Sequence, residues 1–338
     1  MGVDLPLVWA VIILFGIMMY VVMDGFDLGV GLLFPFFPAK EDRDVMMNSV
    51  APVWDGNETW LVLGGAGLLA AFPLAYSVIL SAVYLPIVLM LIGLVFRGVA
   101  FEFRFKAIGA GRRWWDAAFI GGSVAAAFFQ GMTLGAFLSG MRVVDGQFAG
   151  GPFDWLSPFS LFTGVGLMSA YALLGSTWLV MKTEGELHEG MRGVARKLVQ
   201  VMLGVLVLLS AWTPLRDPTI AERWFSLPNL FFLVPVPVLV GLVAWRLWVD
   251  LQSARGGSHA SPFILTLVLV LLGYIGLGIS VWPHIIPPSL SIWQAAGPPQ
   301  SLGFALVGAL FVIPLVLMYT AWNYWVFRGK VKHGDAYH

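Results

Sequence analysis

The sequence predicts an all-α integral membrane protein of nine transmembrane helices, and three observations carry that prediction. The 338 residues are 59% hydrophobic and only 11% charged, and the mean hydropathy of +0.85 lies far outside the globular range. The apolar residues gather in long runs rich in Leu, Val, Ala and Gly that do not alternate, which selects helices over barrel strands. Lys and Arg concentrate in every second connection between those runs, as expected of a chain that crosses a bilayer repeatedly.

A helix needs about 20 apolar residues to cross about 30 Å of hydrocarbon. Runs of that kind lie at approximately 7–34, 53–72, 76–99, 115–138, 157–181, 196–213, 227–249, 262–283 and 303–327. The first follows Met1 to Pro6, which carries Asp4 and no cation, and it is too long for a signal peptide, so it reads as a retained span. The second carries Asp55, Glu58, Gly64, Gly65 and Gly67, and Pro52 places its start near Ala51. The sixth is short, and the seventh holds Pro235 and Pro237, which should kink it. Eight of the helices are expected to form two four-helix bundles with the ninth peripheral, although the halves show no repeat. No connection is long enough for a soluble domain, so function belongs within the helices or at their ends.

Omitting one span would exchange the sides of every later connection, so the cation bias tests the count. Lys40 and Arg43 follow the first span; Arg97, Arg104, Lys106, Arg112 and Arg113 close or follow the third; Lys182, Arg192, Arg196 and Lys197 follow the fifth. Arg246 and Arg255 belong with the seventh, and Arg328, Lys330 and Lys332 with the ninth. Of 19 cationic residues, the other side holds only Arg142, Arg216 and Arg223. The N-terminus is therefore expected outside and the C-terminus in the cytoplasm.

Equal numbers of cations and anions suggest no nucleic acid and no acidic partner. The absence of cysteine excludes disulfides, thiolate catalysis, iron–sulfur ligation and covalent haem attachment. A membrane haem wants an axial histidine deep in a helix. Here His188 and His259 fall in cation-rich connections, His333 and His338 in the tail, and His284 just past the eighth span. Met18, Met19, Met23 and Met90 read as packing. No metal or haem iron is expected in this chain alone. Trp9, Trp114, Trp115, Trp155, Trp224, Trp282 and Trp325 sit at span ends as an interfacial belt. The Gly65-Ala66-Gly67 run imitates a dinucleotide fingerprint but lies in an apolar span without a preceding strand, so it reads as helix packing.

Ionisable groups inside a span need partners, water or a function. Asp24 and Asp27 share a face of the first span, and Gly25 with Gly29 lets another helix approach closely. Asp55 and Glu58 repeat the spacing on the second. Asp24 and Asp55 each lie about 17 residues, or about 25 Å, from the outer ends of their helices, and Arg97 comes to similar depth on the third. The carboxyls are expected nearly level, close to the cytoplasmic face, with Arg97 and Glu102 as charge partners. Such a cluster suits proton transfer inward from cytoplasmic water. Plainer readings exist: Asp55 and Glu58 as acids at a helix start, Arg97 snorkelling to headgroups, and Trp60 as packing. Asp24, deep in its span, is no N-cap.

Three stretches resemble subunit II of the cytochrome bd-type quinol oxidases: Asp24-Gly25-Phe26-Asp27-Leu28-Gly29-Val30-Gly31, Asn48-Ser49-Val50-Ala51-Pro52-Val53-Trp54-Asp55-Gly56-Asn57-Glu58-Thr59-Trp60-Leu61, and Phe96-Arg97-Gly98-Val99-Ala100-Phe101-Glu102-Phe103-Arg104. The resemblance continues through Lys182-Thr183-Glu184-Gly185-Glu186-Leu187-His188 and Tyr319-Thr320-Ala321-Trp322-Asn323-Tyr324-Trp325, and so covers nearly the whole chain. It implies a terminal oxidase of the bacterial cytoplasmic membrane that couples ubiquinol oxidation to reduction of O2 to water. Two b-type haems and a third haem, d-type or b-type, would sit in the partner subunit I, with none ligated by this chain. It further implies a proton pathway through Asp55 with Asp24 alongside, and oxygen access near Trp60; Asp27 and Glu58 are expected on that pathway from their place in the same acidic cluster. Small single-span accessory subunits, lipid and a structural quinone are the other partners it allows. Trp293-Gln294, Ala296-Gly297-Pro298-Pro299 and the acid at Glu58 depart from the common pattern and look more like the cyanide-insensitive branch. The competing reading is an ion-coupled transporter or channel subunit using the same intramembrane carboxylates, and a third is a scaffold that stabilises a redox partner.

Overall fold

The computed structural model describes residues 2–252, 259–332 and 334; Arg255, His333 and His338 lie outside the described residues. The chain runs through α1 (Leu5–Leu33), a short 3-10 turn, α2 (Lys40–Asn48), α3 (Trp54–Ala71), α4 (Pro73–Ala82), α5 (Tyr84–Arg104) and α6 (Ala110–Leu138). A hairpin of β1 (Val143–Val144) and β2 (Gln147–Phe148) leads to α7 (Pro158–Lys182), α8 (Gly185–Arg216), α9 (Pro218–Phe225), α10 (Asn229–Leu233) and α11 (Pro235–Gln252). Then come α12 (Ser261–Val281), a second hairpin of β3 (His284–Ile286) and β4 (Leu290–Ser291), α13 (Ile292–Ala295) and α14 (Pro299–Val326). Helix starts follow their local chemistry. Asp4 accepts from the Leu7 amide at 3.1 Å with Pro6 in the first turn of α1, and Ser157 caps α7 in the same way ahead of Pro158.

Among the described residues, eight helical segments rather than nine are both long and apolar enough to cross a membrane. The one outside that set is α3. Its 18 residues span about 27 Å, but Asp55, Asn57 and Glu58 in its first turns lower its hydropathy. The run expected at 76–99 is divided: the chain leaves helical geometry at Val83, because Pro86 has no amide to bond the Ala82 carbonyl and its ring crowds that oxygen. Helix α5 alone crosses, while α4 packs against β2, β3 and α13 at the end away from the cation-rich connections. The sixth run is not short either, since α8 reaches back to Gly185 and covers 32 residues. The seventh breaks before Pro235, between α10 and α11, where the proline pair predicts a kink.

Helix α1 is the hub, packed against α3, α6, α7 and α14, while α5 lies along α6 and α6 along α7. Helices α7, α8, α11 and α12 form a ring of neighbours, and α14 lies against α3 and α1. The small residues set the closest approaches. A Cβ on Gly29 would stand 1.8 Å from the Tyr171 carbonyl oxygen, and one on Gly175 would stand 2.4 Å from the Gly29 carbonyl carbon. The helix drawn in by the Gly25 and Gly29 pair is therefore α7. Gly67 packs on Ile13 of α1, where a Cβ would meet a side-chain carbon at 3.1 Å, in keeping with a packing role for the Gly65-Ala66-Gly67 run.

Candidate functional site

Every residue of α1 from Asp24 to Leu33 is buried, because α3, α6 and α7 enclose that half of the helix. Asp24, Asp27 and Arg97 are all 0% exposed. Arg97 Nη1 stands 2.6 Å from Asp24 Oδ1, and Nη2 stands 3.6 Å from Glu58 Oε1. Asn57 Nδ2 donates to Asp27 Oδ2 at 2.7 Å, and the Tyr324 hydroxyl donates to Asn57 Oδ1 at 2.8 Å. One polar network thus ties α1, α3, α5 and α14 together. Buried charge of this kind persists only where it is paired and hydrogen-bonded. Two carboxyls, Asp24 and Glu58, share one guanidinium with Asp27 close by, so the charge of the cluster changes whenever a proton enters or leaves.

Two expected members lie elsewhere. Asp55 does not meet Asp24: its side chain is exposed, and the α3 acid that reaches Arg97 is Glu58. Helix α3 begins at Trp54 rather than near Ala51, so Asp55 stands in the first turn, where a carboxylate complements the helix dipole. Asn57, Trp60, Gly64, Gly67 and Ala71 form the buried face of α3, and Asp55 is about 200° around the helix from Asn57. Glu102 is likewise exposed and pairs at 3.8 Å with Lys106, just past the end of α5, instead of approaching Arg97. Arg97 does not snorkel, being wholly buried. Trp60 is also 0% exposed and makes an edge-on ring contact with Phe15 at 5.7 Å.

An aromatic layer closes the cluster on the side of the cation-rich connections. Phe34, Phe101 and Phe119 are at most 1% exposed, Trp54 stacks on Phe101 at 5.0 Å, and Phe34 meets Phe119 at 4.7 Å. The guanidinium of Arg97 lies 6.0 Å from the Phe101 ring centre and that of Arg104 lies 5.5 Å from the Phe34 ring centre. Beyond the layer is a second ionic group that sequence reasoning does not single out. Arg104 is bonded to Asp116 and, at 2.7 Å, to Asp44; Arg43 reaches Asp116 at 2.9 Å, and Arg112 reaches Asp44 at 2.5 Å. It fastens α2 to the α5 and α6 pair. The available signal was Asp116, an acid just inside an apolar run.

His188 and His259 meet edge to face at 5.3 Å at the cation-rich end, and His284 lies in β3 at the other end.

A sequence profile described as Cytochrome bd terminal oxidase subunit II matches residues 5–327. The chain is 31% identical to the Cytochrome bd-I ubiquinol oxidase subunit 2 of Escherichia coli (strain K12), over 94% of this chain and 92% of that one. It is 28% identical to the Cytochrome bd ubiquinol oxidase subunit 2 of Bacillus subtilis (strain 168), over 93% of each. In fold it resembles a chain of the bd oxidase from Geobacillus thermodenitrificans, with a TM-score of 0.76, 15% sequence identity, and coverage of 96% of this chain and 99% of that chain. These likenesses give no support to an ion-coupled transporter. Because the family profile and the relatives both extend over nearly its whole length, the chain belongs to the cytochrome bd terminal oxidase subunit II family, as a multi-pass component of a quinol-oxidising complex in the bacterial inner membrane.

Proposed function

We propose that this chain supplies protons from the cytoplasm to a haem-bearing subunit I, along Asp55, Glu58, Asp24 and Asp27. The observation that carries the reading is the gradient of exposure across the cluster. Asp24 and Arg97 are fully buried, whereas the Glu58 side chain is 24% exposed and stands 3.6 Å from the same guanidinium. The aromatic layer obstructs a direct route through the interior from the cation-rich end, so the approach is along the edge of α3, past Asp55 to Glu58. With the cation-rich end in the cytoplasm and the N-terminus outside, ubiquinol electrons taken from the outer side and protons taken from the inner side separate charge without a pump. The two b-type haems and the third haem belong to subunit I in this reading, supported by the placement of the described histidines. The role of Trp60 in oxygen access rests on its position inside α3 against the partly exposed Phe15.

Asp24→Asn and Asp55→Asn, each in a purified complex with its haem spectrum intact, test the proposal. Each should slow quinol-driven oxygen consumption and proton uptake by at least about tenfold, equivalent to about 1.4 kcal/mol on the barrier. Wild-type turnover and proton uptake in both variants would overturn it.

A further inference from the structure

Beyond the acids, the polar cluster extends into a part of the fold that neither the family motifs nor the proposed path uses. Tyr20 lies one turn from Asp24 on the same face of α1 and is 2% exposed; Tyr171 of α7 is 1% exposed. The Tyr171 ring lies across Gly25, where a Cβ would meet its carbons at 2.7 and 2.8 Å, so the glycine is what lets the ring lie beside Asp24. Gln130 of α6 completes the group. Gly31 of α1 abuts Ser123 of α6, and the two helices run in opposite directions. Seven residues along each, Asp24 and Gln130 therefore come to one level, about 10 Å away. The phenols of Tyr20 and Tyr171 lie within electrostatic reach of Asp24, and Tyr171 also neighbours Gln130.

These groups converge but are poorly aligned for bonding one another: Arg97 and Asp24 form a close ion pair at 2.6 Å, Tyr20 lies beside Asp24 and Tyr171 beside Gln130. The hydroxyls of Tyr20 and Tyr171, Gln130 Oε1, both Asp24 oxygens and all three Arg97 nitrogens are buried and accept or donate no well-aligned hydrogen bond within the chain. Buried polar atoms are almost always hydrogen-bonded, to protein or to ordered water, and a buried water typically makes about three such bonds. The set mixes donors with acceptors. A metal ion would be repelled by Arg97 and would leave its donors unmatched, whereas water matches both kinds.

We propose that Tyr20, Tyr171 and Gln130 enclose, with Asp24 and Arg97, a buried water site that forms the inner end of the proton path. This rests on the proton-delivery reading above. A proton on the Asp24 carboxyl passes to the site water as that water releases one of its own toward subunit I, so the carboxylate is restored and the water stays neutral. Only O–H bonds form and break in that exchange, and the tyrosines take no proton in it. Tyr20 and Tyr171 are thus positioning residues that hold water against Asp24.

The test uses Tyr20→Phe, Tyr171→Phe and the double variant in the haem-complete complex, with Asp24→Asn alongside. Infrared difference spectra on reduction and reoxidation are recorded in ordinary water and in water enriched in oxygen-18. The wild type should show a water O–H band that shifts with the isotope, and the double variant should lose it. Turnover of the double variant should fall about tenfold with the KM for quinol unchanged. Absence of the band from the wild type, or an unchanged band and turnover in the double variant, overturns the water site. If Asp24→Asn also leaves turnover unchanged, the proton-delivery reading itself fails. If Asp24→Asn slows turnover and the tyrosine variants do not, only the water site fails.

Discussion

Replacing Arg97 with Met should destabilise the complex by about 3–5 kcal/mol, the usual cost of removing one partner from a buried ion pair. Met keeps much of the apolar stem and fills most of the space, so cavity formation contributes little. The loss comes from Asp24, which is wholly buried and would no longer have the guanidinium that stands 2.6 Å away. The double variant Asp24→Asn/Arg97→Met removes both charges and should recover a large part of the loss, giving a coupling energy of about 1–3 kcal/mol in a double-mutant cycle. Recovery will be incomplete, because Glu58 also faces Arg97, at 3.6 Å, and remains. Unfolding of the purified complex titrated with a denaturing detergent, followed by circular dichroism, measures all four species. A cost below about 1 kcal/mol for Arg97→Met, or strictly additive effects in the double variant, would refute the argument that this pair is held by mutual charge compensation.

Asp116→Asn should cost more than Asp44→Asn in the same titration, by about 1–2 kcal/mol. The Asp116 side chain is 11% exposed and holds both Arg43 and Arg104, whereas the Asp44 side chain is 29% exposed. Gly29→Ala should force α1 and α7 apart and cut the yield of assembled complex, measured by fluorescence-detected gel filtration, because its Cβ would meet the Tyr171 backbone at 1.8 Å. Gly204→Ala on α8, where a Cβ meets nothing within 4 Å, should change stability by no more than about 1 kcal/mol.

The sequence by itself determined the helical membrane class, the cation-rich end, the break before Pro235 and the close approach made at Gly25 and Gly29. Those features are written in composition and in spacing along one helix, and they hold whatever the neighbours do. Position along an axis follows from counting at 1.5 Å per residue; direction around the axis does not. Asp55 and Glu58 are one turn apart, yet only Glu58 turns toward Arg97, because the face of α3 that packs against α1 is fixed by Asn57, Trp60, Gly64 and Gly67. Glu102 illustrates the same limit on α5, where Arg97 and Phe101 take the inner face. The division of the third run at Val83 and the ionic clamp of Arg43, Asp44, Arg104, Arg112 and Asp116 depended on contacts between helices remote in sequence. So did the meeting of Tyr20, Gln130 and Tyr171 around Asp24. A buried polar group is given its partners by the packing of whole helices, and that packing is decided where their surfaces fit, not along any one of them.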